Sequence, residues 1–468
     1  MGVANNYNLV TTLAQMNVAK QVYDQNVSQF PKVPALLSQN VPLETSGMPG
    51  EQYIKAVQLR FEQGFTGTAA GFSAGASGVP ATPNGLTDVY NPTIPMQISK
   101  AYVSPPQLTL VSQISLDTVL RTNKNDSQAI EAVTVAAVKN IVDSCDLRLE
   151  VGMLYGDNGG ATGIGTIAST GTVTSIDSTH YAVVVTITQS EWAAAIWTTG
   201  EGAAIDIFSN TSTTSPINST TSYTLISSNT AQSPVIAAVN PNTRQVTILA
   251  DQTTASSIST SVSNGSTPVV RFGGMFGVDQ VGLVTQLKNT GVLFGIDAST
   301  YNMWLPNQFD NQGSALTFTA INNAAARGAR RGVGIEDMLV FVNPGGWADA
   351  LTDQAALRRY GSEMPKKTEA GSLALEFLTQ TGKLELQAHP FLKEGLCLIL
   401  PKKRMRRVGT QDWTFLNFEG ATGEAGEGVF EKLQTSNRFQ AIRYTCQQIF
   451  CSLPACATIM TGIVNTNN

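Results

Sequence analysis

The sequence predicts an α+β fold that is interrupted by an all-β insertion. One long helical pattern runs over residues 126–155, and mixed helix and strand patterns occupy residues 276–468. Between them, residues 165–272 are dominated by Ser, Thr, Val, Ile and Ala, and their alternating runs predict short strands. With 468 residues, the chain exceeds the ~250–300 residues at which a single core stops growing, so two or three packed units are expected.

The composition leaves little charge to cover the surface. Hydrophobic residues make up 42% of the chain, but charged residues make up only 13%, about half of the usual ~25%. A surface that is poor in charge is weakly protected against association, which suits a subunit enclosed by copies of itself. The net charge of −5 disfavours a general nucleic-acid-binding protein.

The cysteines and the first residues exclude further classes of protein. The five cysteines are odd in number and cluster late, which makes a poor disulfide framework and indicates core residues in a reducing compartment. The chain begins without a basic region followed by an apolar stretch, and it has no apolar window of ~18 residues. We therefore expect no signal peptide and no membrane span.

Residues 1–46 predict an N-terminal arm. Its first part has apolar residues at helical spacing, and Pro31, Pro34 and Pro42 then forbid a continuous helix. An arm with few long-range partners of its own usually lies on another subunit or remains disordered. We expect one of these two outcomes here.

Residues 47–103 predict a long two-stranded ribbon. Apolar residues share one face of each strand, namely Tyr53, Val57, Leu59 and Phe61 on the outgoing strand and Ile94, Met96, Ile98 and Tyr102 on the returning strand. Between the strands, residues 63–85 contain six glycines and two prolines, so this tip cannot pack a core of its own. Since an isolated two-stranded ribbon is marginal in water, we expect it to lie across a neighbouring subunit.

The next two segments predict a long helix and a compact insertion. The thirty residues of 126–155 would span about 45 Å. The four-residue steps of the apolar stripe make it drift around the helix, so it should cross more than one packing layer. Residues 165–272 predict a small all-β barrel or sandwich, and their β-branched runs argue against a disordered linker.

Residues 276–468 predict helices and strands in alternation. The helices are ALTFTAINNAAARGA and PGGWADALTDQAALRRYG, and LVFVNP is a buried strand. The runs LELQAHPFL and LCLILP predict a hairpin around Lys393, Glu394 and Gly395. Further strands are expected in the closing run IRYTCQQIFCSLPACATIMTGIV.

Motifs for catalysis are weak. The sequence GFSAG matches a hydrolase elbow, but its Ser73 lies in the glycine-rich tip, and only His180 and His389 could act as a base. The sequence GIGTIA, residues 163–168, follows a helix and precedes a strand, which is the wrong order for a dinucleotide-binding fingerprint. We expect no enzyme activity, and we assign no catalytic, cofactor-binding or metal-binding residue.

Two basic clusters stand out because charges are few elsewhere. One ends a predicted helix, with Arg327, Arg330 and Arg331, and the other is PKKRMRR at residues 401–407. A solvated face is the default interpretation, and a nuclear-localisation signal is disfavoured. The alternative is pairing with carboxylates of another subunit or a role on an inner surface, since the fork of arginine suits contacts between subunits.

The order of these parts is similar to that of a known family. The most specific stretch is residues 291–360, which contains GVLFGIDASTYNMWLPN, AAARGARRG, MLVFVNPGGWADAL and LRRYG. Together with the arm, the ribbon, the long helix and the closing strands, it resembles the major capsid proteins of tailed bacteriophages, which share the Hong Kong 97 fold. The resemblance covers residues 1–155 and 276–468, and residues 165–272 are an extra piece.

The resemblance implies a division of the chain and a set of partners. The parts are an N-terminal arm (1–46), an extended loop (47–103), a peripheral domain with a spine helix (104–164), an inserted β domain (165–272), a return to the core (273–289), an apical domain (290–380) and peripheral and apical strands (381–468). The implied function is self-assembly into hexamers and pentamers of an icosahedral head around double-stranded DNA, without sequence-specific contact and without a membrane partner. Portal, separate scaffolding and decoration proteins would be partners, and the chain would be located in the virion after assembly in the host cytoplasm.

Contacts between subunits are expected from residues of the ribbon and of the basic clusters. The candidates are Tyr53, Lys55, Arg60, Phe65, Phe72, Arg330, Arg331, Arg404 and Arg406. Two other functions are weighed against the capsid. An encapsulin-type compartment has the same fold but encloses a cargo enzyme, whereas a secreted β-rich adhesin or hydrolase needs a signal peptide and a Ser/His/Asp set that the sequence does not show.

Overall fold

A computed structural model of the protein describes residues 36–45, 52–62, 95–115, 127–157, 162–209, 224–225, 234–275, 277–331, 337–352, 375–379, 382–415, 431–432 and 438–465. The first helix of the arm, the glycine-rich tip and Ser73 lie outside these residues. The described α-helices are α1 (Leu36–Asn40), α2 (Ser127–Tyr155), α3 (Ala194–Thr199), α4 (Gln252–Ser263), α5 (Leu283–Leu287), α6 (Phe318–Arg330) and α7 (Pro344–Thr352).

Strands make up more of the fold than helices do. The described strands are β1 (Leu43–Glu44), β2 (Tyr53–Arg60), β3 (Gln97–Val103), β4 (Gln107–Ser115), β5 (Gly165–Ser175), β6 (Tyr181–Ile187), β7 (Ile205–Ser209), β8 (Thr224–Leu225), β9 (Val235–Asn240), β10 (Gln245–Ala250), β11 (Val269–Phe272), β12 (Val292–Leu293), β13 (Ile296–Asp297), β14 (Asn307–Ser314), β15 (Met338–Val342), β16 (Leu375–Thr379), β17 (Gly382–Ala388), β18 (Cys397–Pro401), β19 (Met405–Phe415), β20 (Glu431–Lys432), β21 (Arg438–Cys451) and β22 (Thr458–Ile463). The predicted mixture of helices and strands is confirmed.

Helix α2 connects two packing layers. Near its C-terminal end, Leu149 and Met153 enter the largest hydrophobic core of the chain. Earlier along the helix, Ile141 and Cys145 pack with Ala441 of β21 in a separate small cluster. One helix therefore contributes to two layers, because four-residue steps rotate an apolar stripe gradually around a helix of 3.6 residues per turn.

Two sheets form the body around this helix. In the first sheet, the order is β1-β19-β21-β20, and β4 pairs with the opposite edge of β21. In the second sheet, the order is β14-β22-β18-β15-β17-β16. The long strands β19 and β21 run antiparallel along most of their length, so they form the axis of the first sheet.

The predicted hairpin of β17 and β18 is wrong. Strand β15 lies between them, parallel to β17 and antiparallel to β18. All five residues of β15 are buried, so this apolar strand takes a partner at each edge. The residues that join β17 to β18 form a loop that crosses from one side of β15 to the other.

The insertion contains a sheet that closes on itself. Its strands follow the order β7-β11-β5-β6-β10-β9, with β8 beside β7. A bridge between Ala204 and Val235 joins the start of β9 to the residue before β7, so the two ends of the sheet meet. The buried residues of β6 alternate along the strand as Val183, Val185 and Ile187, and they fill the interior of a barrel.

The prediction that this insertion is all-β is wrong, since it also contains α3 and α4. The carboxylate of Asp251 caps α4 by accepting hydrogen bonds from the backbone N–H groups of Thr253 and Thr254. Ala255 and Ile258 are one turn apart and pack into the barrel core. A good cap and two apolar residues at helical spacing therefore outweigh a Ser- and Thr-rich composition that favours strands.

Lys393 fixes the barrel to the body. It lies in the loop between β17 and β18, and its buried amino group pairs with Glu191 of the barrel segment. The same amino group lies 4.5 Å from the ring centre of Tyr155, at the end of α2. Two backbone hydrogen bonds join residues 394–395 of this loop to residues 190–192 of the barrel segment. Burial lowers the pKa of Lys393, and the carboxylate of Glu191 opposes that shift.

Replacement of Lys393 by Met should destabilise the subunit. The variant leaves the Glu191 carboxylate, which is 25% exposed, without its cation. We expect the free energy of unfolding to fall by about 3 kcal/mol, the lower end of the cost of breaking a buried ion pair. Denaturant unfolding of the unassembled subunit, followed by tryptophan fluorescence, measures this free energy. Trp192 and Trp197 report on the region, because they stack with ring centres 6.0 Å apart and Trp192 directly follows Glu191.

The matched control is Lys402→Met. Lys402 pairs with Glu385 at 2.9 Å, but its side chain is 44% exposed. A pair of this kind contributes about 0–1 kcal/mol, so the control should unfold nearly as the wild type does. Equal losses in the two variants would contradict the role given to Lys393.

Candidate assembly surfaces

The base of the ribbon lies on the chain's own core. Strands β2 and β3 pair antiparallel, and one face of this pair is buried against Trp304 and Phe450. The ribbon residues on that face are Tyr53, Val57, Leu59, Ala101 and Val103. The hydroxyl of Tyr53 donates a hydrogen bond to the carbonyl of Gly409, 2.5 Å away in β19. The structure thus gives Tyr53, a predicted contact between subunits, an intramolecular role.

The opposite face of the ribbon is exposed and carries several apolar side chains. Ile54 and Tyr102 lie opposite each other across the two strands, and their side chains are 44% and 45% exposed. Ile98 lies on the same face and is 54% exposed. Met96 and Phe61 are exposed apolar residues at the open end. Lys100 also lies on this face, between Ile98 and Tyr102, and exposed apolar residues grouped in this way favour a site of interaction.

The prediction that Phe61 shares the buried face is wrong. The register of the pair shifts between Gln58 and Arg60, and β2 ends at Arg60. Alternation of faces no longer applies beyond such an irregularity. Phe61 is consequently 58% exposed. Ile94, predicted on the face of Ile98, lies outside the described residues.

Glu44 binds two of the residues that are predicted to contact other subunits. Lys55 donates a hydrogen bond to one oxygen of its carboxylate, and Nε of Arg406 donates to the other at 3.2 Å. Because β1 also pairs in parallel with β19, this carboxylate joins the arm, the ribbon and the body. The hydrogen bond from Lys55 is the main cause that holds the pKa of Glu44 below its ordinary value, and Arg406 adds to it.

Residues 36–45 lie on the chain's own body, in contrast to the expectation for the arm. The buried carboxylate of Glu150 in α2 accepts hydrogen bonds from the backbone N–H groups of Leu37 and Ser38, at 3.1 and 3.0 Å. Nε of Arg407 donates to the carbonyl of Val41 at 2.8 Å. The first N–H groups of a helix have no partner within the helix, and here Glu150 supplies one to α1.

Arg60, another ribbon residue predicted to contact other subunits, lies against a loop of the body. The guanidinium of Arg60 lies 5.4 Å from the ring centre of Tyr301, so the end of the ribbon touches the loop that follows β13. This contact is attractive because the ring face is electron-rich. Phe65 and Phe72 lie outside the described residues.

The two basic clusters approach each other at one corner of the body. This basic corner consists of six exposed cations: Arg327, Arg330, Arg331, Lys402, Lys403 and Arg404. The backbone N–H of Ser452 donates to the carbonyl of Arg404 at 3.0 Å. Four residues later, the carbonyl of Cys456 packs on Gly328 of α6, where an added Cβ would lie 3.1 Å from its oxygen. Residues 452–456 therefore link the two clusters.

Backbone carbonyls hold two of these arginines in place. Nη1 of Arg331 donates to the carbonyl of Leu305, and Nη1 of Arg327 donates to that of Gln308. The guanidinium of Arg327 also lies 4.8 Å from the ring centre of Phe309. Neutral carbonyl groups orient a guanidinium without cancelling its charge, so Arg327 and Arg331 keep theirs. Among the described residues, Glu385 pairs with Lys402, and the carbonyl of Asp337 accepts a hydrogen bond from the N–H of Lys402.

The two histidines of the chain occupy different environments in the structure. His180 pairs with Asp177 at the exposed tip of the β5–β6 hairpin, and His389 is buried 3.4 Å from Glu150. No cluster of three or more His, Cys, Asp or Glu residues that could hold a metal ion occurs among the described residues. The cysteines are buried and unbonded, as the sequence indicates. No helix within the described ranges combines the length and the hydrophobicity that a bilayer span requires.

Comparison with known proteins finds similarity only at the level of structure. No protein-family model matches the chain, and no curated protein matches it. The chain is similar to the capsid asymmetric unit of cyanophage A-1(L), at 8% identity and a TM-score of 0.48, over 93% of this chain and 94% of that one. It is also similar to the capsid of a native GTA particle, at 9% identity and a TM-score of 0.41, over 93% and 92%. A third similar structure is the capsid of Myoviridae phage XM1, at 8% identity and a TM-score of 0.40, over 93% of this chain and 94% of that one.

Sequence reasoning misses Glu44 and Glu150, the two carboxylates that attach residues 36–45. Glu150 binds residues that are 112 and 113 positions away in the chain, and no local pattern shows such a contact. One signal was available, because Glu150 stands between Leu149 and Val151 in an otherwise apolar stretch of a helix. A charge in that setting is either exposed or paired.

The pH dependence of stability tests the role of Glu44. Because its pKa is lower in the folded chain than the ordinary 4.5, the ionised carboxylate stabilises the fold. This contribution is complete above pH 4.5 and is lost as the pH falls through the lower, folded-state pKa. Glu44→Gln should therefore melt below the wild type at pH 6 to 7, by about 1–3 °C, and the difference should shrink in acid.

Melting temperatures of both proteins, recorded from pH 7 to pH 3, make this comparison. Glu62→Gln is a suitable control, because it removes the same charge at an exposed position of the ribbon, two residues beyond the end of β2. A melting difference for Glu44→Gln that stays constant with pH would show that the charge of Glu44 is not what matters.

Proposed function

We propose that this chain is the major capsid protein of a tailed bacteriophage, with a Hong Kong 97-like arrangement of its parts. It assembles into hexamers and pentamers of an icosahedral head that encloses double-stranded DNA. Residues 47–103 act as the extended loop, α2 as the spine helix, residues 165–272 as an inserted domain and residues 290–380 as the apical domain. The segments 273–289 and 381–468 complete the peripheral and apical parts.

The outer face of the ribbon is the observation that carries this proposal. Its inner face is packed on the chain's own core, so the base of the ribbon is already held in place before any partner arrives. The outer face then presents Ile54, Ile98 and Tyr102 to whatever lies across it. A second copy is the occupant that fits, because the surface of this chain is polar but poor in charge and repels its copies weakly.

Such contacts suit a shell because each one binds weakly but is repeated in every subunit. Covering the exposed half of one of these side chains contributes about 1 kcal/mol, so one ribbon contact alone holds weakly. Each subunit in a closed shell makes several contacts at once, and their joint effect is far stronger than any one of them. Arg60, Arg330, Arg331 and Arg404 are further proposed contacts between subunits. Portal, scaffolding and decoration proteins are proposed partners, and the virion is the proposed location, after assembly in the host cytoplasm.

Assembly of a ribbon variant provides the test. Purified wild-type protein should form closed shells that are visible by electron microscopy, together with pentamers and hexamers in sedimentation velocity. The double change Ile98→Lys and Tyr102→Lys places two charges on the outer face and should reduce the yield of shells by about tenfold or more. The subunit itself should fold normally, since both side chains are exposed.

Ile176→Lys is the matched control. Ile176 is also an exposed apolar residue, at the tip of the β5–β6 hairpin and away from the ribbon in the fold. This variant should assemble like the wild type. Wild-type protein that stays monomeric under all assembly conditions would refute the proposed function, and shells that hold a cargo enzyme in place of DNA would favour an encapsulin-type compartment.

A further inference from the structure

We propose that the barrel of one copy packs against the barrel of a second copy, through the outer face of strands β5, β6, β10 and β9. This inference rests on the proposed self-assembly and names one of its contacts. The centre of this barrel face is formed by outward-pointing side chains, namely Ala182, Val184, Thr186, Thr247, Leu249 and Ala238. All six residues belong to the part of the chain that the structure describes.

The strand register places these side chains on the outside of the barrel. Both neighbours of Val184 in β6 are buried in the interior, so Val184 points outward, and it is 37% exposed. Val184 lies opposite Thr247, and Thr247 lies opposite Ala238, so the three side chains form a row across three strands. Toward β5 the row continues at Gly171, where an added Cβ would lie 3.7 Å from that of Val184. Small neighbours thus leave Val184 at the centre of a flat face.

The barrel face carries no charge. None of the residues of β5, β6, β9 and β10 is acidic or basic, although charged residues make up 13% of the whole chain. Two other strands of the barrel, β7 and β11, carry Asp206 and Arg271. Charges on an exposed surface protect a protein against association. Their absence favours a face that is covered by another neutral surface, and the same face of a second copy is such a surface.

A partner of this face stacks on it, because the strands concerned have no free edge. Strands β5, β6 and β10 each have a neighbour on both sides, and the ends of the sheet meet at the bridge between Ala204 and Val235. The backbone groups of these strands are therefore not available to an added strand of another copy. Two sheets that stack face to face lie about 10 Å apart, and small side chains such as those of Ala182 and Ala238 permit this approach.

The size of the face indicates which partner fits it. Four strands ~4.8 Å apart, each with about five residues of ~3.3 Å, give a face of roughly 300 Å². A stable interface between two free proteins buries about 800 Å² on each side. A separate protein that bound only here would dissociate readily. A second copy is held nearby by the other contacts of the shell, and this high local concentration makes a small additional contact effective.

Contacts with the body preset the orientation of the barrel face. Lys393 pairs with Glu191, and the backbone N–H groups of residues 394–395 donate to carbonyls of residues 190–192 at 2.9 and 3.1 Å. Because residues 190–192 closely follow β6, these contacts also hold the strand that carries Val184. A face with a preset orientation loses less entropy when it binds.

A contact between two identical faces is symmetric. The two copies are related by a two-fold axis, and each copy makes this contact with one partner. Because Val184 lies at the centre of the face, its side chains in the two copies approach each other across the axis. A charge introduced here would meet a like charge, whereas opposite charges in the two copies would attract each other.

Opposite charges at position 184 test this symmetry. Val184→Lys and Val184→Glu should each raise the critical concentration for assembly about tenfold or more, measured by light scattering at about 50 mM salt. An equimolar mixture of the two variants should return to within about threefold of the wild type, because unlike copies attract each other at the barrel contact. The contact is refuted if either variant alone assembles like the wild type, or if the mixture assembles no better than its components.

Cross-linking provides a second measurement that does not depend on charge. Val184→Cys places a thiol at the centre of the face, whereas the five native cysteines are buried. A bismaleimide reagent that spans ~10 Å matches the spacing of stacked sheets. In assembled shells it should join copies into covalent dimers and into no larger products, since each copy has one partner at this face. Assembled shells that yield no dimers would overturn the proposal, even if a charged variant fails to fold.

Ile176 provides the matched controls. It is an exposed apolar residue of the same barrel, at the tip of the β5–β6 hairpin. Ile176→Lys and Ile176→Glu should assemble like the wild type, and Ile176→Cys should give no covalent dimers. Melting curves of the unassembled variants check that each one folds.

The failure of this contact is distinguishable from the failure of the proposed function. Wild-type protein that does not assemble refutes both. Shells that form normally from both charged Val184 variants refute the barrel contact alone. A separate protein is the competing occupant of the face, and in that case both variants would assemble normally but would no longer bind that protein.

Discussion

The buried amino group of Lys393 is the interaction on which the arrangement of the large parts depends. It touches the barrel through Glu191 and the carbonyl of Gly163, at 2.8 Å, and it touches α2 through the ring of Tyr155. An ammonium group is costly to bury, so it stays in place only when these oxygens and the ring are all correctly positioned. These contacts of Lys393 thus favour one orientation of the barrel against the body. A single orientation is necessary if identical subunits are to repeat in a regular shell.

In the ribbon, by contrast, the described residues of the chain cover only one of the two faces. A two-stranded ribbon has two faces, and the core of one chain can cover only one of them. Because Tyr53 and Leu59 hold the inner face, the outer face is presented as a preformed surface, which reduces the entropy lost on association. The ion pair of Lys55 with Glu44 then couples the ribbon to residues 36–45, so both are positioned by the same sheet strand, β19.

Local periodicity predicts much of this fold, and long-range pairing accounts for what it misses. The pattern over 126–155 matches a helix that runs from Ser127 to Tyr155, because helical spacing is a local property. The position of β15 between β17 and β18 is decided by which strands bury its two edges, and adjacent runs in the sequence say nothing about that. The basic corner was visible as two clusters, but their approach depends on residues 452–456, which neither cluster adjoins in sequence.

The scarcity of charge gives the few exposed charges a larger effect. Several charged residues, such as Glu150, Lys393 and Arg407, are buried inside the subunit, where their hydrogen bonds fix one segment against another. On a mostly neutral surface, the exposed cations of the basic corner therefore stand out. In ~0.1 M salt such charges act over only ~10 Å, so they distinguish orientations at contact and do not steer copies from afar. In the proposed assembly, apolar side chains of the ribbon supply most of the binding energy, while the like charges of two basic corners oppose a contact between them.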